Sequence, residues 1–187
     1  MLVDENLTFS FHIRHIRSVC YNLINICFRI FTAKLPDTYL LFYQIYILPV
    51  VFYCSSVYSF ASKRNDDLIE KIQKYFTRRL FWRLYGFGVT PPYGRRLEIF
   101  SLERLELLLT KGDLKCLLKI ISHLSSVPSL NLKFSSRSPA RIVYAPCALS
   151  VTRKFFPHRS SLIWNKYFSK QPDVVYSRIL LLINRLS

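Results

Sequence analysis

Four glycines in 187 residues leave little scope for folds built on glycine-rich phosphate loops, and neither G-x-G-x-x-G nor G-x-x-x-x-G-K occurs. The five cysteines (positions 20, 27, 54, 116 and 147) are an odd number without a C-x-x-C, which argues against a disulfide framework or a zinc ribbon. Reduced thiols in an intracellular protein, nuclear or cytoplasmic, are the expectation. Acidic residues are few, 11 against 27 Lys and Arg. The adjacent pair Asp66-Asp67 lacks the third carboxylate that metal-assisted phosphoryl transfer needs, and a helix N-terminus accounts for both. His12, His15, Cys20 and Cys27 match no finger spacing, and one amphipathic helix cannot wrap four ligands around zinc. No local Ser, Cys and His arrangement marks a nucleophile. The residues therefore predict no enzyme, no metal and no cofactor. Asp4 and Glu5, with no basic segment ahead of a cleavable apolar stretch, predict no signal peptide.

What is present is apolar and basic. Apolar residues make up 51% of the chain, enough for a core at this length, and wholesale disorder is not expected. The net charge of +16 is unevenly placed. Residues 1–62 hold four basic and three acidic side chains, whereas 63–187 carry a net +15. Ten basic residues and no acid lie between Asp113 and Asp173. Such a field attracts phosphate, in nucleic acid or on a membrane surface.

Residues 38–62 form a run of 25 without a charge, long enough to span a bilayer and followed at once by Lys63 and Arg64. Gln44, Pro49, four serines and several tyrosines favour a buried core helix bent at Pro49, because a buried tyrosine hydroxyl needs a partner. Elsewhere the pattern is helical. Phe11, Ile16, Val19, Leu23, Ile26 and Ile30 recur at three- and four-residue steps and predict a helix from Ser10 to Phe31. Leu35-Pro36-Asp37 ends it and starts the next. Asn65 or Ser62 is the expected cap of a helix that buries Ile69, Ile72, Phe76 and Leu80 and exposes Lys71, Lys74 and Arg78. Gly86, Gly88, Pro91 and Pro92 predict a loop, and a leucine-rich helix from about Ser101 to Ser122 is expected to be capped by Ser101. The Ser-, Pro- and Arg-rich segment 125–152 reads as an extended or partly disordered linker, with helical pattern returning weakly near Ser160–Phe168 and again from Asp173 onward. The expected architecture is mainly α: a helical bundle over 1–124, the linker, and a basic, partly extended C-terminal segment over 153–187.

Basic residues interleave with aromatics. Lys71–Arg83 reads Lys-Ile-Gln-Lys-Tyr-Phe-Thr-Arg-Arg-Leu-Phe-Trp-Arg, Arg95-Arg96 follows, and Arg153-Lys154-Phe155-Phe156-Pro157-His158-Arg159 forms a second cluster. Cations that track phosphates beside aromatics that stack on bases are a recipe for nucleic-acid binding. The same pattern also describes a solvated basic face whose aromatics belong to the core. The candidate contacts are Lys71, Lys74, Arg78, Arg79, Arg83, Arg95, Arg96, Arg153, Lys154 and Arg159.

Tyr53-Cys54-Ser55-Ser56-Val57-Tyr58, then Leu68-Ile69-Glu70-Lys71-Ile72-Gln73-Lys74-Tyr75-Phe76-Thr77-Arg78-Arg79-Leu80, resembles a signature of non-LTR (LINE-type, jockey-like) retrotransposon reverse transcriptases that lies C-terminal to their catalytic palm. Asp4-Glu5-Asn6-Leu7-Thr8-Phe9-Ser10-Phe11-His12-Ile13 is similar to the segment just after that palm. Tyr93-Gly94-Arg95-Arg96-Leu97, Ser101-Leu102-Glu103-Arg104-Leu105-Glu106 with Gly112-Asp113-Leu114, and Arg153–Arg159 with Trp164-Asn165 resemble the family's later motifs in order. The resemblance covers nearly the whole chain. Tyr58 stands where the family usually has Trp, and Leu108-Leu109 replaces a common Arg-Arg pair. The family's catalytic Asp-Asp turn and its endonuclease have no counterpart in these residues.

The resemblance implies a polymerase thumb and post-thumb region, a non-catalytic helical grip on template–primer RNA, DNA or their hybrid, with a palm-containing polymerase chain as a possible partner. It also implies that 38–62 belongs to a soluble protein. Two other expectations stand beside it: a small membrane protein anchored by 38–62, and a remnant open reading frame whose apolar faces are left uncovered.

Overall fold

The computed structural model describes residue 5 and residues 8–58, 63–122, 132–143, 155–168 and 176–185. It is mainly helical, with one two-stranded hairpin among the described residues. The chain divides into two compact units, Met1–Glu106 and Leu107–Ser187.

In the first unit, α1 (Ser10–Ile30) packs against α5 (Lys63–Tyr85). Ile69, Ile72, Phe76 and Leu80 of α5 are all buried, as the periodicity predicts. On α1 the buried stripe is His12, Ile13, Ile16, Cys20, Ile24, Cys27 and Phe28, while Phe11, Ile26 and Ile30 are exposed. The expected face is thus rotated, because two buried thiols and a histidine continue the apolar stripe where larger side chains point to solvent.

Between these helices run α2 (Pro36–Phe42), a π-helical turn (Tyr43–Ile47), α3 (Leu48–Phe52) and α4 (Ser55–Tyr58). The bend expected at Pro49 is absorbed by the widened turn just before it, which relieves the clash of a proline ring with the carbonyl four residues back. The chain instead breaks at Tyr53-Cys54, where Cys54 takes a left-handed φ of 57°. Among the described residues, no helix is long and apolar enough to cross a membrane.

Three tyrosines of this segment, Tyr39, Tyr43 and Tyr58, are core residues, whereas Tyr46 and Tyr53 are exposed. Tyr39 stacks on Phe28 with ring centroids 4.9 Å apart, and its hydroxyl donates to the carbonyls of Phe31 (2.6 Å) and Ala33 (3.0 Å). Tyr43 stacks on Phe76 at 4.5 Å, and the Tyr58 hydroxyl donates to the Val51 carbonyl.

Two expected caps have other roles. Asn65 lies inside the first turn of α5, buried, where its Nδ2 donates to the Thr8 carbonyl at 2.8 Å and ties down the entry to α1. Ser62 lies outside the described residues. Ser101 closes α6 (Tyr93–Ile99) rather than opening the next helix. With φ at 51°, its N–H donates to Glu98 O (3.2 Å) while Leu102 N–H reaches Leu97 O (2.9 Å), the paired bonds of a Schellman stop. The leucine-rich helix, α7, therefore starts later, at Leu105–Ile121.

In the second unit, Leu114, Leu117 and Leu118 of α7 surround Trp164 and Phe168 of α8 (Phe156–Phe168) and Ile179 and Ile183 of α9 (Tyr176–Asn184). The helix grouped with the first bundle from sequence thus gives most of its buried face to the second unit. The described part of the 125–152 segment holds the hairpin of β1 (Lys133–Ser135) and β2 (Ser138–Val143), antiparallel with Phe134 opposite Ile142. Asn165 binds both backbone groups of Ile142, accepting from its N–H at 2.9 Å and donating to its carbonyl at 2.8 Å. The amide side chain stands in for a neighbouring strand and satisfies an edge.

Candidate nucleic-acid interface

From Lys71 through Leu97 there is no acidic residue. Helical spacing places Lys71, Lys74 and Arg78 on one face of α5, and all three are exposed. Two of them lie on aromatic rings. Lys74 Nζ is 5.3 Å from the Tyr93 ring centroid, and the Arg78 guanidinium is 5.2 Å from Trp82 and 5.9 Å from Tyr75. Resting a long cation on a ring limits its conformers without neutralising it, so the charge stays available to an anion.

Arg79 and Arg83, one helical step aside, are half-buried where α5 meets α1. Arg79 donates to the Tyr75 hydroxyl at 2.9 Å and its guanidinium sits 5.3 Å from the Phe28 ring. Arg83 donates to the Phe28 carbonyl, one of the orphan acceptors in the last turn of α1. Both arginines join the helices and also line a cleft of about 540 Å³ with Phe28, Lys34, Trp82 and Phe87. Among the described residues, no carboxylate lines this cleft. Its rim loop begins where Gly86, at φ 85°, ends α5, a conformation that favours glycine.

The remaining candidates divide differently. Arg95 is exposed and pairs with Glu98 at 2.6 Å, both side chains about two-thirds exposed, so the pair is weak and readily exchanged. Arg96, expected to contact phosphate, is buried as a strut. Its Nη1 donates to the Pro91 carbonyl (2.7 Å), its Nε reaches Thr77 Oγ1 (3.3 Å) and its Nη2 the Lys74 carbonyl (3.4 Å). Burial, and then the nearby Arg78 charge, hold its pKa below the usual arginine value. The strut belongs to a polar layer that docks α6 on α5. In that layer the Tyr93 hydroxyl donates to Glu70 and lies 2.8 Å from Gln73 Oε1, while Gln73 Nε2 donates to the Glu103 carbonyl at 2.9 Å. Burial and the Glu70 carboxylate push the Tyr93 pKa upward.

In the second unit Arg159 is buried against Asp113 (Nε to Oδ2, 2.8 Å), with the carboxylate fully enclosed. That guanidinium braces the fold. Arg153 and Lys154 lie outside the described residues. Among the described residues, no three His, Cys, Asp or Glu side chains come together as a metal would need. His12, Cys20 and Cys27 line the core side of α1, whereas His15 is exposed.

The stripe on α5 was legible from sequence; Lys34 and Phe87 were not. Lys34 lies in the nearly neutral first third of the chain and Phe87 in a loop, so neither charge density nor periodicity marks them. No protein-family model, curated protein or solved structure matches this chain.

Proposed function

We propose that the chain is the thumb and post-thumb region of a non-LTR retrotransposon reverse transcriptase, a non-catalytic grip on template–primer RNA and DNA. Any polymer chemistry would belong to a palm-containing chain. The observation that carries the reading is the exposed stripe of Lys71, Lys74 and Arg78, mounted on aromatics in a stretch without acid, with Arg79 and Arg83 alongside. Such a surface meets phosphates without reading base edges, so affinity is largely blind to sequence. Arg96 and Arg159 take no part in it.

The test is fluorescence anisotropy of the protein with a labelled RNA–DNA hybrid between about 50 and 200 mM salt. Five phosphate contacts release enough counterions to give a slope of log K against log salt of about −4.5, a loss of roughly 500-fold over that range. Absence of binding, or affinity indifferent to salt, would refute the grip.

A further inference from the structure

We infer that the cleft between α1, α5 and the loop after Gly86 takes one unpaired nucleotide at the end of a nucleic-acid strand. The inference rests on the proposed grip and adds to it a second element of recognition.

The cleft has the size, lining and position for that ligand. Its volume of about 540 Å³ lies within the range of pockets that enclose a small molecule. Aromatic surface is offered by Trp82 and Phe87, with the buried Phe28 at the base of the cleft. Trp82 is held in place by its Nε1 donating to Thr90 Oγ1 at 2.8 Å, and Phe87 sits 5.4 Å from it at a tilt of 42°. Phe87 is 90% exposed, an unusual cost for a phenylalanine, and a face that open is what a stacking base covers.

Positive charge is offered by Lys34, Arg79 and Arg83, with no acid among the described lining residues to oppose a phosphate. A guanidinium carries five N–H donors, so the bonds of Arg79 to Asn25 and Tyr75 and of Arg83 to Phe28 leave both arginines others to give. A base within a duplex is stacked on both sides and enters such a concavity only after unstacking, so an unpaired end is favoured. Arg78 lies against Trp82, which makes the cleft continuous with the phosphate-facing stripe.

The experiment compares a blunt RNA–DNA hybrid with one carrying a single-nucleotide overhang of 2-aminopurine, using the full chain. Stacking on an aromatic predicts about tenfold tighter binding of the overhang and quenching of the 2-aminopurine emission. Phe87→Ala should abolish both gains and leave blunt-end affinity unchanged. Because the side chain is almost wholly exposed, the variant is expected to fold.

Trp82→Leu supplies an independent check on the quench. Equal affinity for the two hybrids, or quenching that survives both substitutions, overturns this inference and leaves the grip standing. Failure to bind either hybrid overturns the grip and the inference together. Adenosine monophosphate that displaces the overhang probe at an affinity equal to the probe's own would reassign the cleft to free nucleotides and also overturn it.

Discussion

Arg96 and Arg78 are both basic residues of the same stretch, one buried and one exposed, so replacing each by methionine separates a role in the fold from the proposed role at an interface. Arg96→Met removes three donors from a buried layer. A hydrogen bond from a charged group contributes about 1.5–3 kcal/mol, and the 2.7 Å bond to Pro91 O is the strong one, while those at 3.3 and 3.4 Å are long and add less. Part of this is offset because the guanidinium no longer has to be desolvated, which leaves a net loss of about 3 kcal/mol. With a urea m-value of about 1.3 kcal/mol/M for a unit of this size, the midpoint should fall by roughly 2 M.

Arg78→Met gives up only exposed cation–π contacts, about 0.5–1 kcal/mol, partly regained by methionine packing on Trp82 and Tyr75. It should instead make the salt slope for hybrid binding shallower by about 0.9. Unfolding of the first unit can be followed by pulsed alkylation of the buried Cys20. If Arg96→Met unfolds like the parent and weakens binding, or if Arg78→Met proves the more destabilising, the assignment of strut and contact is wrong.

Other outcomes follow from buried groups. Asp113→Ala leaves the Arg159 guanidinium buried without its carboxylate and should destabilise the second unit by about 3–5 kcal/mol, whereas Asp113→Leu with Arg159→Met should recover most of that. Trp164 reports this unit by fluorescence once the other of the two tryptophans, Trp82, is changed to phenylalanine; equal loss in the single and double variants would contradict the reasoning. Burial pushes the Cys20 thiol up to about 12 and Cys27 up to about 11, from 9.0. Both stay protonated in the fold while the unfolded chain ionises, so their contribution is complete below pH 9 and is lost as pH rises through 11 to 12. Above pH 9 the first unit should lose about 1.4 kcal/mol per pH unit for each thiol, and Cys20→Ala should flatten that dependence in urea titrations. An unchanged alkaline slope would refute it.

The residues that carry the family resemblance are in large part interior. Glu70, Gln73 and Tyr93 form the polar layer, Asp113 and Arg159 the buried pair, Trp164 a core centre, and Asn165 the clamp on β2. A linear motif cannot distinguish a cation that faces a ligand from one that braces a helix, because both are basic residues at similar spacing. On α5 the distinction was legible: apolar residues at three- and four-residue steps set the buried face, and Lys71, Lys74 and Arg78 fall opposite it. For Arg96 and Arg159 it was not, since Thr77 and Lys74 become neighbours of Arg96 only when α6 docks on α5, and Asp113 of Arg159 only when α8 docks on α7.

Sequence alone determined the helical class, the loop at 86–92, the core face of α5 and the sign of the charge beside it, because these depend on local spacing and composition. Tertiary structure alone decided which face of α1 is buried, where the run from 38 is broken, that Ser101 ends a helix instead of starting one, and which arginines point outward. It also assembled the cleft, whose aromatic and basic walls come from segments far apart in the chain. Such a site exists only after packing has brought them together, and no window of neighbouring residues contains it.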